Sequence, residues 1–176
     1  MANNNKREVT PEYLLKQAAG ARSSLLLILV FTVVNLVMLL TDAGRYFLFS
    51  ASVPYYLTAF GMGMDLGMGA EGIGTFTLVG LGISAVILVL YLVCWLLSKK
   101  RPGWLTVAMV AFILDTLALV AVCLVMDALT ESVMDLVFHA WVIWELVQGI
   151  SANKKLKKMI AEASLAETQE PVGPEL

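Results

Sequence analysis

Asp115 is the residue whose type and position in this sequence most directly suggest chemistry. It lies at the middle of an apolar run, 104–126, that contains no other acidic or basic side chain. A helix of this length crosses the hydrocarbon core of a membrane, which is roughly 30 Å thick. Because a carboxylate at the centre of a span costs about 2.5–3.5 kcal/mol on insertion scales, we expect Asp115 to have a proton, a polar partner or a water-filled cavity.

Asn35 and His139 are expected at the same depth as Asp115. Each of the three side chains lies eleven residues from one end of its own apolar run, which is about 16 Å at helical rise. Because each would be costly facing lipid, the sequence predicts that all three point into a common bundle. They could form a hydrogen-bond cluster that fixes packing, or a proton or ion site in which Asp115 titrates and His139 is the relay or counter-charge.

A second apolar run, 73–97, carries small and polar residues at near-helical spacing along one side: Thr77, Gly80, Ser84, Tyr91 and Cys94. Gly80 and Ser84 form a small-xxx-small pair, which lets a neighbouring helix approach closely. The pattern therefore predicts a packing seam. Ser84 and Tyr91 are secondary candidates for a functional site.

Glu145 is a further secondary candidate, five residues from the end of the fourth apolar run. Its side chain could reach water and pair with Lys154 or Lys155. Alternatively, together with Gln148, it could line an inner vestibule.

Ser84 and His139 also suggest nucleophilic chemistry. Gly82-Ile83-Ser84 with His139 is similar to the serine and histidine of rhomboid intramembrane proteases. The sequence departs from that pattern, because Ala85 replaces the glycine after the serine and Ala140-Trp141-Val142 replaces the small residues after the histidine. The resemblance implies a Ser84–His139 dyad, and an intramembrane serine hydrolase is the third functional hypothesis.

Metal chemistry has one candidate, the methionines Met62, Met64 and Met68. Thioethers are soft ligands that suit Cu(I), although methionine also fills irregular apolar surface without binding anything. One histidine and no HExxH pattern leave too few ligands for zinc, so no cofactor is expected. Cys94 and Cys123 form no CxxC pair and are interpreted as buried small apolar residues.

These candidates belong to a very apolar chain. Hydrophobic residues make up 59% of its 176 residues and charged residues 15%, against about 25% charged in soluble domains. The mean hydropathy is +0.81, and the composition predicts an all-α integral membrane protein. The net charge of −2 indicates no attraction to nucleic acid. The expected partner is the lipid bilayer, with the basic runs 99–101 and 154–158 at anionic headgroups.

Four apolar runs predict a four-helix transmembrane bundle within one domain, 24–151. The predicted spans are about 24–40, 73–97, 104–126 and 133–150. The segment 1–23 is expected to form a short amphipathic helix on the membrane surface, beginning at Thr10-Pro11-Glu12, where a capping hydroxyl precedes proline and an acid. The segment 152–176 is predicted to be a basic and then acidic tail, disordered at its end.

The basic residues predict the orientation of the bundle. Eleven of the twelve Lys and Arg residues lie before the first span, between the second and third, or after the fourth, and Arg45 is the exception. The positive-inside rule therefore predicts that both termini are cytoplasmic (N-in/C-in), and the distribution suits a bacterial plasma membrane.

The long extracytoplasmic connection, 42–72, is expected to contain an interfacial or re-entrant segment between the first two spans. Its part 47–60 is apolar and rich in aromatic residues but too short to span, and Pro54 interrupts it. The glycine-dense run 61–74 is expected to stay flexible or to turn tightly.

The sequence favours a non-enzymatic membrane protein. The main hypothesis is a small transport or permeation unit built around Asp115, working as a homo-oligomer because four spans can be too few to enclose a pathway. The alternative is an accessory or scaffolding subunit that binds another membrane protein and whose buried polar residues are structural.

Overall fold

The computed structural model describes residues 10–44 and 46–169, with side chains as far as Leu165. This part of the chain forms five α-helices and no strand: α1 (Pro11–Leu40), α2 (Ser52–Gly67), α3 (Thr75–Ser98), α4 (Gly103–Val125) and α5 (Val133–Gln169). Helices α1, α3, α4 and α5 are long and apolar enough to cross a membrane. The prediction of an all-α chain with four candidate membrane spans is confirmed.

Helix α1 is continuous, which corrects the prediction of a surface helix followed by a separate span at 24–40. It begins where the sequence predicts, because Pro11 takes the first helical position and the Thr10 hydroxyl accepts a hydrogen bond from a first-turn amide. Leu14 and Ala18 are buried, and α1 lies along α5. The apolar side of the predicted surface helix therefore packs against protein.

Helix α5 continues past the predicted end of the fourth span at 150. Most of the predicted tail, 152–176, is consequently helical, and the segment 170–176, with its predicted disorder, lies outside the described residues. Lys158 and Glu162 form an ion pair at 3.6 Å on the exposed surface of α5. Such i,i+4 pairs support a solvated helix.

The four long helices form a ring in the order α1, α5, α4, α3, and α3 closes it against α1. The core of this ring is apolar and includes Leu25, Tyr91, Leu105, Phe112 and Leu146. Hydropathy alone predicts the lipid-facing character of these helices, whereas their order around the ring depends on packing.

The described basic residues gather at one end of the ring. Arg22 of α1 donates a hydrogen bond from Nε to Ser98 Oγ of α3 at 3.1 Å. Lys154 of α5 borders a cavity with Gly103, the first residue of α4. We call this end the basic end; Lys6, Arg7 and Arg45 lie outside the described residues.

The connection between α1 and α3 contains a fifth helix, α2, rather than a flexible glycine run. Pro54 does not interrupt an element but lies in the first turn of α2, where its missing N–H has no helical partner to lose. Gly61 lies inside α2. Within the glycine-dense run 61–74, tight turning is confined to 68–74, where Gly69 and Gly72 have positive φ angles of 78° and 97°.

Helix α2 runs antiparallel along α3 and also touches α1 and α4. The absence of a side chain at Gly80 permits this approach, because a Cβ there would come within 2.6 Å of the Leu57 carbonyl oxygen. Ser84 Oγ donates a hydrogen bond to the Pro54 carbonyl at 2.9 Å. The predicted packing seam on α3 is confirmed, and α2 occupies it.

Candidate functional site

Asp115 binds the start of helix α2. Its Oδ2 accepts a hydrogen bond from the Ser52 amide and its Oδ1 one from the Val53 amide, both at 2.8 Å. The Asp115 side chain is 4% exposed. The first amides of a helix have no partner within the helix and carry a partial positive charge. A carboxylate at this position therefore satisfies two buried donors and complements their charge.

His139 contacts the same first turn of α2, through the Ser52 hydroxyl instead of a backbone amide. Its Nε2 lies 3.3 Å from Ser52 Oγ, and its Nδ1 lies 2.9 Å from Thr116 Oγ1. Thr116 Oγ1 also donates to the Phe112 carbonyl at 2.8 Å, so its proton is used there. A neutral imidazole with its proton on Nδ1 satisfies both contacts of His139, a tautomer assigned from this network.

Asn35 holds the irregular segment that precedes α2. Its Nδ2 donates to the Phe47 carbonyl at 2.8 Å and to Ser50 Oγ at 2.7 Å, while the Phe47 amide donates to Oδ1 at 2.8 Å. One turn away, Thr32 Oγ1 accepts a hydrogen bond from the Ala51 amide at 2.8 Å. Two side chains of α1 thus form hydrogen bonds with backbone groups of Phe47 and Ala51, which lie outside any helix.

The three residues predicted to share one depth therefore converge on one segment, 47–53. Asp115 and His139 both reach Ser52, one through its amide and the other through its hydroxyl, and Asn35 reaches Ser50. None of these contacts joins Asp115 to His139 directly. We call Asn35, Asp115 and His139, with Thr32 and Thr116, the anchor network.

No protein-family model, curated protein or solved structure matches this chain. What the anchor network does must therefore be inferred from its own geometry. Thr116 contacts His139; the other members, polar side chains of α1, α4 and α5, bind the backbone or a serine hydroxyl of segment 47–53.

Ser84 and His139 have different partners. Ser84 Oγ lies 3.2 Å from Thr58 Oγ1 and donates to the Pro54 carbonyl, whereas His139 contacts Ser52 and Thr116. The pairing implied by the rhomboid resemblance requires a hydrogen bond from the serine to the histidine. The described structure shows no such bond between these two side chains, and Ser84 acts as a packing residue in the seam.

Tyr91 and the two cysteines are buried in the bundle. Tyr91 is 1% exposed and belongs to the apolar core. Cys94 and Cys123 are buried free thiols, in agreement with their interpretation as small apolar residues.

Glu145 lies in a groove at the basic end, between the first turns of α1 and the middle of α5. The groove has a volume of about 490 Å³ and is also lined by Gln17, Gln148 and Trp144. The groove is lined by Gln148 and also by Lys16, and both placements that the sequence left open stay predictions. The ion pair described on this part of α5 joins Lys158 to Glu162 and does not involve Glu145.

The methionine candidates lie at the end of α2. Met62 and Met64 are helical and Met68 is the C-terminal cap. Residues two apart on a helix point to different sides, so α2 does not bring the Met62 and Met64 sulfurs to one face. The described residues also contain no group of three His, Cys, Asp or Glu side chains that could hold a metal.

Asp65 is a residue that the sequence analysis missed. Its Oδ2 accepts hydrogen bonds from the amide and the hydroxyl of Thr77, both at 2.7 Å, and its Oδ1 accepts one from the Phe76 amide at 3.1 Å. Burial acts to raise the pKa of Asp65, but these hydrogen bonds outweigh it and hold the pKa below its ordinary value of 3.8. Asp65 therefore caps α3.

Ser52 was also missed, although a local signal was present. Serine shortly before proline, as in Ser50-Ala51-Ser52-Val53-Pro54, is typical of a helix start. The apolar and aromatic character of 47–60 instead favoured a membrane-surface element. The contact of Ser52 with Asp115 joins residues 63 positions apart, and no local pattern reveals it.

Asp135 of α5 has one carboxylate oxygen without a hydrogen-bond partner within the described residues. This oxygen, Oδ1, is buried. Unpaired buried carboxylate oxygens are uncommon.

Proposed function

We propose that this chain is a non-enzymatic, scaffolding membrane subunit whose buried polar residues hold a half-membrane helix in place. The observation that carries the proposal is the binding of both Asp115 oxygens to the first two amides of α2. Both oxygens of Asp115, the carboxylate at the middle of a span, are thereby used to hold a helix in place. A carrier site would instead need Asp115 to exchange its partner for an ion or a proton.

The depth of Asp115 makes α2 re-entrant in this proposal. Asp115 lies at the middle of α4, so the start of α2 lies at the bilayer centre when α4 spans the membrane. The 16 residues of α2 then lead back to the surface, since a helix rises about 1.5 Å per residue. Irregular backbone at this depth is tolerated only where protein satisfies it, which is what Asn35 and Thr32 do.

The far part of α5 supports a docking role. Ala152 is buried, whereas every residue from Ala161 to Leu165 is exposed. Beyond the bundle, α5 therefore projects as a single helix with exposed apolar residues. A projecting helix of this kind offers a surface for another protein in the scaffolding hypothesis.

Crosslinking in membranes tests the docking role. A photoreactive amino acid at Leu165, which is 64% exposed, is expected to capture one defined heterologous protein. The same probe at Ala163, about 200° around the helix, is the matched control. Equal capture from both positions, or capture of a second copy of this chain alone, would contradict the scaffolding proposal.

A flux assay tests the commitment of Asp115 to structure. In liposomes that contain a pH-sensitive dye, the wild-type protein is expected to carry no proton flux above the lipid background. A flux that disappears in Asp115→Asn, while that variant keeps its thermal unfolding transition, would overturn the proposal.

The second candidate is a permeation unit formed by several copies. The observation that favours it is the half-helix itself, because channels and transporters direct the ends of such helices at their ion sites. Val86→Cys on the exposed face of α3 tests it, since Val86 is 70% exposed and the native cysteines are buried. A disulfide-linked dimer in membranes supports association of copies and hence permeation, whereas monomer alone counts against it.

We further propose that the basic end faces the cytoplasm of a bacterial cell, which is supported by the positive-inside rule. Glu71→Cys is expected to react with a membrane-impermeant maleimide on intact cells. Lys100→Cys is expected to react only after permeabilisation. The reverse pattern would invert the proposed orientation.

A further inference from the structure

We propose that a cavity at the basic end, between α4 and α5, binds the phosphate headgroup of an anionic phospholipid. The cavity has a volume of about 430 Å³. Thr106 of α4 and Asn153, Lys154 and Lys157 of α5 are its polar lining residues, and the rest of the lining is Gly103 with the apolar residues Pro102, Ile150, Leu156 and Ile160. These residues lie outside the anchor network, so the site is independent of the function proposed for Asp115.

The charge of the lining selects an anion. Lys154 and Lys157 are three residues apart and therefore lie on one side of α5. The lining contains two basic and no acidic side chains, and the ion pair described on this stretch involves Lys158 instead. A phosphate group in the cavity would be reached by both ammonium groups, and the start of α4 adds a partial positive charge.

An apolar hollow continues from the cavity along α4. It has a volume of about 320 Å³, shares Thr106 with the cavity and is lined by Val107, Val110, Ala111 and Leu114. Because successive turns of α4 lead from Gly103 towards Asp115 at the middle of the helix, this hollow lies at the depth of lipid tails. A cavity that carries two lysines among apolar side chains, next to an apolar hollow, matches a lipid rather than a soluble phosphate.

The depth of the cavity mouth also matches that of a lipid headgroup. Gly103 precedes Asp115 by twelve residues, or about 18 Å at helical rise, which places it at the headgroup level when Asp115 is central. Lysine side chains near helix ends extend towards that level. The basic end is also the end that the positive-inside rule places in the anionic leaflet.

Thermal unfolding of the full chain in mild detergent measures binding of three probes. Phosphatidylglycerol is expected to raise the unfolding temperature in a saturable manner, whereas phosphatidylcholine and inorganic phosphate at the same concentration are not. Equal stabilisation by inorganic phosphate would replace the lipid with a soluble anion. Equal stabilisation by phosphatidylcholine would remove the charge selectivity and overturn the proposal.

A double variant tests the two lysines that line the cavity. Lys154→Gln with Lys157→Gln is expected to weaken phosphatidylglycerol binding about 20–30-fold, which corresponds to about 1 kcal/mol per basic residue at a membrane surface. The matched control is Lys155→Gln with Lys158→Gln, which removes the same charge from the same helix outside the cavity. Equal weakening by both pairs would show general attraction and no site.

Gly103→Leu tests the cavity without changing any charge. A Cβ at Gly103 meets no atom within 4 Å, so the variant should fold while its side chain fills the mouth of the cavity. It is expected to abolish the shift produced by phosphatidylglycerol. Gly82→Leu, on an equally open position of α3, is the control and should keep the shift. Unchanged lipid binding by Gly103→Leu would overturn the proposal.

Discussion

Asp115 and Asp65 do the same thing in two regions of the molecule. Each carboxylate accepts hydrogen bonds from the first amides of a helix, Asp115 at the start of α2 and Asp65 at the start of α3. They differ in how far they lie along the chain from the amides that they cap. Asp65 belongs to the helix immediately before α3 and lies 11 or 12 residues from its partners, whereas Asp115 lies 62 or 63 residues from its own.

The two caps also differ in whether water can replace the carboxylate as the hydrogen-bond acceptor. The start of α3 follows the exposed residues 71–73, and Phe76 is 36% exposed whereas Thr77 is buried. Water can therefore reach the Phe76 amide when Asp65 is lost. The start of α2 lies inside the bundle among α1, α4 and α5, where Ala51 and Ser52 are fully buried. Because an orphaned buried amide is costly only where water cannot serve it, the deep cap should dominate stability and the outer cap should not.

Replacement of Asp115 should have the largest effect. Asp115→Leu leaves two amides without an acceptor, at about 1–3 kcal/mol each, so we expect a loss of about 2–6 kcal/mol in the free energy of unfolding. Asp115→Asn keeps one oxygen and should lose about half as much. Thermal unfolding in mild detergent, followed by tryptophan fluorescence, measures both. A Leu variant as stable as the wild type would show that Asp115 is not a structural cap.

The second-largest effect on stability is expected at the seam between α2 and α3, because this seam holds α2 along its length and links the two capped helix starts. Gly80→Ala pushes a methyl group against the Leu57 carbonyl and should cost about 1–3 kcal/mol. Gly82→Ala meets no atom within 4 Å and should be neutral or stabilise by up to about 1 kcal/mol through helix propensity. The same unfolding assay compares them, and similar values would mean that the seam is loose.

Asn35→Asp probes the irregular segment before the deep cap. Aspartate keeps the oxygen that accepts from the Phe47 amide but loses the two donors to the Phe47 carbonyl and Ser50 Oγ. We expect a cost of about 1–3 kcal/mol and faster hydrogen exchange confined to residues 46–51. Exchange that rises equally in α5 would indicate global loosening instead of a local anchor.

Asp65→Asn should have the smallest effect, and its signature is pH dependence. The pKa of Asp65 is held below 3.8 in the folded protein, so its stabilising contribution is complete above that value and is lost as the pH falls through the lowered pKa. The unfolding temperature of the wild type should therefore fall towards that of Asp65→Asn in acid. Parallel profiles of the two proteins below about pH 5 would contradict the cap.

Several features of the site could be predicted without the structure. The positions of Asp115, Asn35 and His139 within apolar runs were sufficient to place them at one depth, because a helix has a fixed rise per residue. The spacing of Gly80 and Ser84 likewise predicted the face of α3 that packs closely. By contrast, the Ser84–His139 dyad that the rhomboid resemblance implies is not formed in the described structure. Ser84 contacts Pro54 and Thr58, whereas His139 contacts Ser52 and Thr116.

The sequence by itself determined that this chain is helical and apolar enough to enter a membrane, because hydropathy and run length act locally. It also determined which polar residues had to avoid lipid. Only the tertiary structure decided that Asp115 caps α2, that the first and last helices extend beyond their apolar runs, and that α2 fills the seam on α3. Those outcomes depend on contacts between residues far apart in the chain, where helix packing sets which donor meets which acceptor.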